Sequence, residues 1–395
     1  MQVSDTFLWP QGYYTDGLNA GMRHHKNDMG WLVSSVPAAA AGTYTTNQFQ
    51  AAPTKIMKHL IGTHHQLQAI IMNSVCANSC TGAQGTANAQ TVREWGAAKL
   101  AIPVDLVGIA STGVIGTQLP MAKLQAGLAQ LQLTQDQAVT TAIMTTDTHP
   151  KTCSVTLTID DQPVTITGFA KGSGMIHPMM ATMLGFVFTD ATIDGSVLQA
   201  LLSQTVDETF NQITVDGDTS TNDMVVALAN GQAHTHPLTP THPAYPEFGE
   251  ALKAVLAHLA QGIAADGEGA TKLVEVNVTG AATHAEGQMV AKAVVGSNLV
   301  KAALFGNDPN WGRIIAAIGQ THATVDTAHT AIALNGIPLV HDSLEVPFDE
   351  PQVKASMAAA KVTVDVALGA GTASGQAWGC DLTYNYVKIN ASYRS

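Results

Sequence analysis

Two strand-like runs meet across a pair of aspartates: CSVTLTID (153–160) and QPVTITG (162–168) both alternate β-branched residues with small or polar ones, and Asp160-Asp161-Gln162 joins them. So short a connection makes a hairpin, which favours antiparallel pairing over a regular βαβ alternation. Around it, helical periodicity runs through 84–100, 119–132, 194–213, 247–265 and 287–305, each bounded by Gly, Pro, Thr or Asp. Between these lie β-branched or alternating runs at 104–110, 223–229, 273–279, 362–368 and 382–390. The pattern predicts a mixed α and β fold.

The chain has 395 residues, enough for two or three core-bearing units. The stretch QAHTHPLTPTHPAYP (232–246), with four prolines and three histidines, reads as a surface connection and places a boundary between a main part, 1–235, and a C-terminal part, 245–395. With 46% hydrophobic and 12% charged residues, the chain is globular. Its net charge of −12 and the lack of any Lys/Arg cluster argue against nucleic acid or an anionic membrane as partner and leave small molecules. The first residues show no basic segment followed by an apolar run, and no stretch is apolar enough to span a bilayer, so a cytoplasmic protein is expected. Its four cysteines, Cys76, Cys80, Cys153 and Cys380, are too sparse for a disulfide framework and read as reduced thiols.

Three segments carry residues suited to chemistry. In GFAKGSGMIHPMMATMLGF (168–186), Lys171 stands beside a Gly-Ser-Gly turn, and Thr182 follows in an apolar setting. By composition alone the segment reads more simply as an ordinary loop followed by methionine core packing. STGVIG (111–116) follows an apolar strand and could turn backbone N–H groups toward an anion or oxyanion, or be a plain strand-ending turn. TVDGDTSTND (214–223) is rich in Asp and Thr but lacks the glutamate of a calcium loop, so a capped turn is expected. No metal is expected: Cys76 and Cys80 have no second pair, His234, His236 and His242 sit in the Pro-rich stretch, and His24-His25 and His64-His65 are adjacent pairs that diverge. No GxSxG elbow, Walker loop or dinucleotide fingerprint is present.

TTNQFQAAPTK (45–55), ANSCTGAQG (77–85), STGVIGTQLPM (111–121), IMTTDTHPK (143–151), AKGSGMIHPMMATML (170–184), TVDGDTSTNDM (214–224), GNDPNWGRIIAAIG (306–319) and YNYVKINASYRS (384–395) together resemble the ornithine acetyltransferase, or glutamate N-acetyltransferase, family of arginine biosynthesis. The matches run in order along essentially the whole chain. The resemblance implies an α/β layered sandwich of α-β-β-α type with a smaller C-terminal α/β domain. It also implies a precursor that cleaves itself between Ala181 and Thr182. The resulting chains, 1–181 and 182–395, would stay together, two copies of each forming an α2β2 heterotetramer.

In that family the freed threonine is nucleophile and carries its own base, its α-amine titrating near ~7.7–8.0. Thr182 would take acetyl from N-acetylornithine and pass it to glutamate in a ping-pong cycle, with neither metal nor cofactor. The resemblance does not distinguish enzymes that also accept acetyl-CoA. By motif it makes Thr112 and Gly113 the oxyanion hole. Thr145, Lys171, Glu268, Asn390 and Ser395 become substrate contacts, with Lys171 toward a carboxylate and Glu268 toward an amine. The sequence departs from the family at Val75-Cys76, where glycine and asparagine are commoner, and at Gln48, Ala83 and Met179. Two other readings stand beside this one: an aminopeptidase or amidase of the same self-cleaving superfamily, and an uncleaved metal-sequestering protein using Cys76, Cys80 and the histidines.

Overall fold

The computed structural model describes residues 2–4, 6–177 and 183–391, and within them the chain forms two compact units. The first takes in the described residues up to Gly172, those from Met183 to Asn211, and Thr219–Leu259; the second takes in Ser173–His177, Gln212–Asp218 and Ala260 onward.

The strands of the first unit are β1 (Gln2–Ser4), β2 (Tyr13–Leu18), β3 (Met29–Tyr44), β4 (Gln66–Asn73), β5 (Val107–Ser111), β6 (Lys151–Ile159), β7 (Gln162–Lys171), β8 (Leu184–Thr189) and, after β9 of the second unit (Ile213–Thr214), β10 (Met224–Ala229). Among the described residues they make one mixed sheet in the order β1-β6-β7-β8-β10-β3-β4-β5, with β2 paired to β3. The expected hairpin is β6-β7: Ile159 pairs with Gln162, and Asp160 and Asp161 turn the corner at φ +52° and +60°, the positive values a two-residue turn of this kind needs. In β3 the register with β4 shifts between Val33 and Ala38, and Pro37, which has no N–H to donate, falls inside that irregularity.

Helices α1 (Ala52–His64), α2 (Gly82–Leu100), α3 (Met121–Gln130), α4 (Ala138–Ala142) and α5 (Gly195–Glu208) belong to this unit, and α6 (Tyr245–Ala265) begins in it. Neighbouring residues of β4 enter different cores. Ile70 and Met72 join Phe169, Phe186, Phe188 and the α1 residues Met57, Leu60 and Ile61, whereas Ala69 and Ile71 join Trp31, Val92 and Leu128. Both faces of the sheet are thus covered, which is why MVVALA and LGFVFT are buried throughout instead of alternating.

The second unit has β11 (Leu273–Ala281), β12 (Ala331–Leu334), β13 (Ile337–His341), β14 (Leu344–Glu345), β15 (Lys361–Ala367) and β16 (Ala373–Cys380), arranged with β9 in a mixed sheet of order β14-β13-β12-β15-β11-β16-β9. Helices α7 (His284–Gly296), α8 (Asn298–Phe305), α9 (Trp311–Gly319), α10 (Glu350–Met357) and α11 (Tyr384–Asn390) complete it. Val290, Val294, Leu304, Ile314 and Val353 of the helices close over Val274, Val276, Val362 and Val364. The α/β class expected from the sequence holds, with two mixed sheets and a smaller C-terminal part.

Three local expectations are corrected. The helical pattern over 287–305 is two helices, because Ser297 leaves helical geometry and its hydroxyl caps α8 by accepting from the Val300 N–H. The alternating run 382–390 is not a strand: Thr383 is extended and α11 follows it. Its alternation is not that of a strand with one buried face, since Tyr384 is 84% and Val387 64% exposed. In 104–110, residues Val104–Leu106 form a 3-10 turn before β5.

The Pro-rich stretch 232–246 lies within the first unit, which extends to Leu259, inside α6. Tertiary hydrogen bonds explain this. Ala233 N–H donates to Asp190 O, His236 N–H to Asp160 Oδ2 and Leu238 N–H to Thr192 O, and Leu238 is fully buried, so the segment is a strap fastened to the first unit.

Candidate active site

In the first unit, β5 ends at Ser111 and the next residues lie along the loop that follows β4. Thr112 N–H donates to Asn73 O (3.0 Å), Val114 N–H to Val75 O (2.8 Å) and Gly116 N–H to Ser79 O (2.9 Å). The buried Asn222 amide fastens both segments, donating to Ala77 O (2.6 Å) and Ser111 O (2.8 Å). Gly113 has φ +126°, and a Cβ there would stand 2.1 Å from the Val75 carbonyl carbon, so only glycine fits. Among the described residues its N–H has no acceptor, and the Thr112 hydroxyl is next to it in the chain. A half-buried N–H beside a hydroxyl is an arrangement that can receive an oxyanion. Val75 sits at φ +83°, a region that β-branched residues avoid.

Lys171, the last residue of β7, is 7% exposed, and its Nζ lies 3.5 Å from Thr112 Oγ1. Behind it is Asp147. Its Oδ1 accepts from Lys151 Nζ (2.6 Å) and the Gly172 N–H (2.6 Å), its Oδ2 accepts from the Thr145 N–H (2.9 Å), and Lys171 Nζ is 4.0 Å away. Burial opposes ionisation of this carboxyl, but Lys171, Lys151 and these hydrogen bonds prevail and hold it well below the usual carboxylate range. One buried anion therefore ties together Thr145, Lys171 and Gly172.

A second acid of this unit behaves oppositely. Asp223, at the end of the Asp/Thr-rich run, is 3% exposed, and among the described residues its Oδ2 has no hydrogen-bond partner. Burial pushes its carboxyl well above the usual range, against the pull of Ser220 and Lys171. The chain here is fixed by Met224 N–H, which donates to Met183 O (2.9 Å), so Asp223 adjoins the residue after Thr182 across the β8-β10 pairing.

In the second unit, Ser173–His177 is held as an inserted segment. Ser173 Oγ donates to Asp266 O (2.6 Å), the Met175 and Ile176 N–H groups both donate to the Asp216 carboxylate (2.6 and 2.8 Å), and Val215 N–H donates to Ile176 O (2.7 Å). The run 214–223 is thus a capped turn whose first aspartate grips another segment. His177 Nδ1 lies 2.9 Å from Thr214 Oγ1; burial and then Lys292 push the imidazole down to about 4, so it is neutral at physiological pH. The buried Glu268 donates its N–H to Ser173 O (2.9 Å) and accepts from Asn390 Nδ2 (2.6 Å). Tyr386, one helical turn before Asn390 in α11, donates its hydroxyl to Asp216 Oδ2 (3.3 Å), and burial together with that carboxylate raises the phenol above its ordinary range.

The structure brings Thr112, Gly113, Thr145 and Lys171 together in the first unit, and Glu268 with Asn390 in the second. Thr182, Ala181, Met179 and Ser395 lie outside the described residues. Sequence reading missed Asp147, Lys151, Asp216, Asp223 and Tyr386. Asp216 and Asp223 were visible only as members of a polar run, and Asp147 and Lys151 as two charges four apart in a matched segment. Among the described residues no group of three His, Cys, Asp or Glu could hold a metal, although His236 and His242 flank Asp160 at 3.2 and 3.3 Å. No described helix is long and apolar enough to cross a membrane.

Comparison with known proteins gives one consistent answer. The arginine biosynthesis bifunctional protein ArgJ of Lactiplantibacillus plantarum is 62% identical over 389 residues, spanning 98% of this chain and 97% of that protein. A crystal structure of arginine biosynthesis bifunctional protein ArgJ from Bacillus halodurans is 53% identical, with a TM-score of 0.53, and covers 54% of this chain and 100% of that one. The ornithine acetyltransferase of Mycobacterium tuberculosis, solved in complex with ornithine, is 37% identical over 44% of this chain and 94% of that one, with a TM-score of 0.41. The ArgJ family model matches residues 14–395, and the chain belongs to the ArgJ family.

Proposed function

We propose that this chain is the acetyltransferase of arginine biosynthesis that moves acetyl from N-acetylornithine to glutamate, giving ornithine and N-acetylglutamate, with Thr182 as covalent carrier. The observation that carries the reading is the Gly113 N–H, without an acceptor among the described residues, beside the Thr112 hydroxyl that lies 3.5 Å from Lys171 Nζ. Donors fixed in this way stabilise the oxyanion of acyl transfer, and each is typically worth ~2.7–4 kcal/mol. A buried cation next to them suits an amino-acid carboxylate.

The precursor cleaves itself first. Thr182 Oγ attacks the Ala181 carbonyl carbon, the peptide C–N bond breaks to leave an ester, and water hydrolyses the ester to an Ala181 carboxylate and a free Thr182 hydroxyl and amine. That the solved Bacillus halodurans chain is matched in full by 54% of this one supports the reading, since 182–395 is 214 of the 395 residues, the same share. In turnover the α-amine takes the Oγ proton as Oγ attacks the acetyl carbonyl, and it returns the proton to the leaving amine of ornithine. Glutamate's α-amine then attacks the acetyl ester: its N–C bond forms as the bond from the acetyl carbon to Thr182 Oγ breaks, and the Thr182 α-amine passes the proton from glutamate's nitrogen to Oγ. Glu268, steadied by Asn390, faces the substrate amine, and Thr145 and Ser395 complete the substrate contacts. No metal or cofactor enters this sequence, and acetyl-CoA serves as a further acetyl donor, in keeping with the bifunctional name of the relatives. The chains 1–181 and 182–395 stay together as an α2β2 heterotetramer in the cytoplasm.

The test is intact mass. The purified protein gives two chains, the second beginning at Thr182, and N-acetylornithine alone adds one acetyl group to 182–395; Thr182→Ala stays as one inactive chain. Active enzyme with no chain beginning at Thr182 overturns the reading. Acetate release without glutamate would move the protein to the hydrolases.

A further inference from the structure

Gly174 stands where any side chain would collide with the carboxyl group of Glu268. A Cβ at that position would lie 2.3 Å from Glu268 Cδ, 2.4 Å from Oε2 and 2.5 Å from Oε1. Gly174 is not among the residues of positive φ, so the left-handed strain that favours glycine is not what keeps alanine out, and the three atoms nearest to a Cβ there all belong to the Glu268 carboxyl group. The glycine cannot retreat. Its segment is fixed by Ser173 Oγ on Asp266 O and by the Met175 and Ile176 N–H groups on Asp216. The carboxyl is the part that can give way, because it is the end of a flexible side chain whose donor among the described residues is Asn390 Nδ2.

We propose that Gly174 is a specificity-determining positioning residue: its bare backbone is the wall that sets where the Glu268 carboxylate stands, and hence which amine-bearing amino acid the subsite accepts. The inference rests on the reading of Glu268 as partner of a substrate ammonium group. A cation recognised by one carboxylate depends on the position of that carboxylate, because charge-assisted hydrogen bonds are short and directional. The Gly-Ser-Gly turn thereby acquires a role distinct from that of Lys171 before it. After cleavage between 181 and 182, Gly174 belongs to the first chain and Glu268 to the second, so the subsite needs both.

The experiment compares wild type, Gly174→Ala, Glu268→Ala and the double variant, measuring kcat and KM for N-acetylornithine at saturating glutamate, with intact mass and thermal melting as controls. Gly174→Ala is expected to self-cleave and melt as wild type does, yet to lose roughly ten-fold or more in kcat/KM, chiefly through KM. In the Glu268→Ala background the same substitution should change nothing, since the group it displaces is gone; a merely structural glycine would cost the same in both. Wild-type kcat/KM in Gly174→Ala, or losses that multiply in the double variant, overturns the proposal. An unimpaired Glu268→Ala overturns the reading of Glu268 and the proposal with it.

Discussion

Asp147 and Lys171 lie 4.0 Å apart in the interior of the first unit, and the same carboxylate that faces the lysine accepts the backbone N–H of the next residue, Gly172. The end of β7 is therefore held by an anion on the 143–151 segment, in a register that keeps Lys171 Nζ 3.5 Å from the Thr112 hydroxyl.

The first prediction concerns that anion. Asp147→Asn removes the buried carboxylate that faces Lys151 and Lys171 and so breaks a buried ion pair, a change that typically costs about 3–5 kcal/mol. Because the carboxyl is held below its unfolded range, near ~3.9, its contribution is fully present above that range and is lost as pH falls through the lower folded value. Unfolding by urea should show the wild type well above the variant at pH 7, with the gap narrowing below about pH 4. A gap that stays constant with pH would show that the carboxylate charge is not what stabilises this segment.

Asp223 should behave in the opposite sense. Its carboxyl is pushed up by burial, so ionising it in the folded state costs stability as pH rises from the ordinary Asp range, ~3.9, through its raised folded value. Asp223→Asn keeps the shape and removes the charge. The variant should match the wild type near pH 4 and exceed it above neutrality, as read from melting temperature against pH. Parallel curves for the two proteins would contradict the raised carboxyl.

Val75 carries backbone strain. Its φ of +83° is a left-handed conformation that a β-branched residue rarely adopts. Such strain costs roughly 1–3 kcal/mol, against about 0.5–1 kcal/mol for the extra unfolded-state freedom of glycine. Val75→Gly should therefore range from neutral to stabilising by about 2.5 kcal/mol, as the difference of those ranges. A clearly destabilised variant would mean that the Val75 side chain contributes more by packing than its backbone loses.

The legible parts of this fold are those in which one local signal settles the matter. Asp160-Asp161 between two alternating runs produces the β6-β7 hairpin. Gly113 and Lys171 could be named as site residues only through the family resemblance, because each sits in a segment that carries it. The misread parts depend on partners far along the chain. The run YNYVKIN alternates as a strand would, but Tyr386 and Asn390 meet Asp216 and Glu268, 170 and 122 residues away, and only helical spacing puts both on one side. The sixteen-residue strand β3 went unseen because its VPAAAAGTY half has the composition of a helix or loop, and its pairing with β10 and β4 overrides that preference. Asp147 could not be singled out, since nothing local says that its carboxylate is buried between two lysines.

The last prediction separates binding from chemistry at the oxyanion turn. Thr112→Ala removes a half-buried hydroxyl whose neighbours are otherwise held by backbone hydrogen bonds, so the fold should persist while turnover falls roughly 10²–10³-fold, as on loss of one oxyanion donor. Lys171→Ala should chiefly raise KM, because a carboxylate contact is equal in ground and transition states. If one threonine serves donor and acceptor in turn, initial rates against N-acetylornithine at several glutamate concentrations give parallel double-reciprocal lines, and Thr112→Ala raises their common slope and their intercepts without making them cross. Intersecting lines would mean that both substrates bind together and that no acetyl-threonine forms. Unchanged turnover in Thr112→Ala would leave the Gly113 N–H as the sole oxyanion donor of this turn.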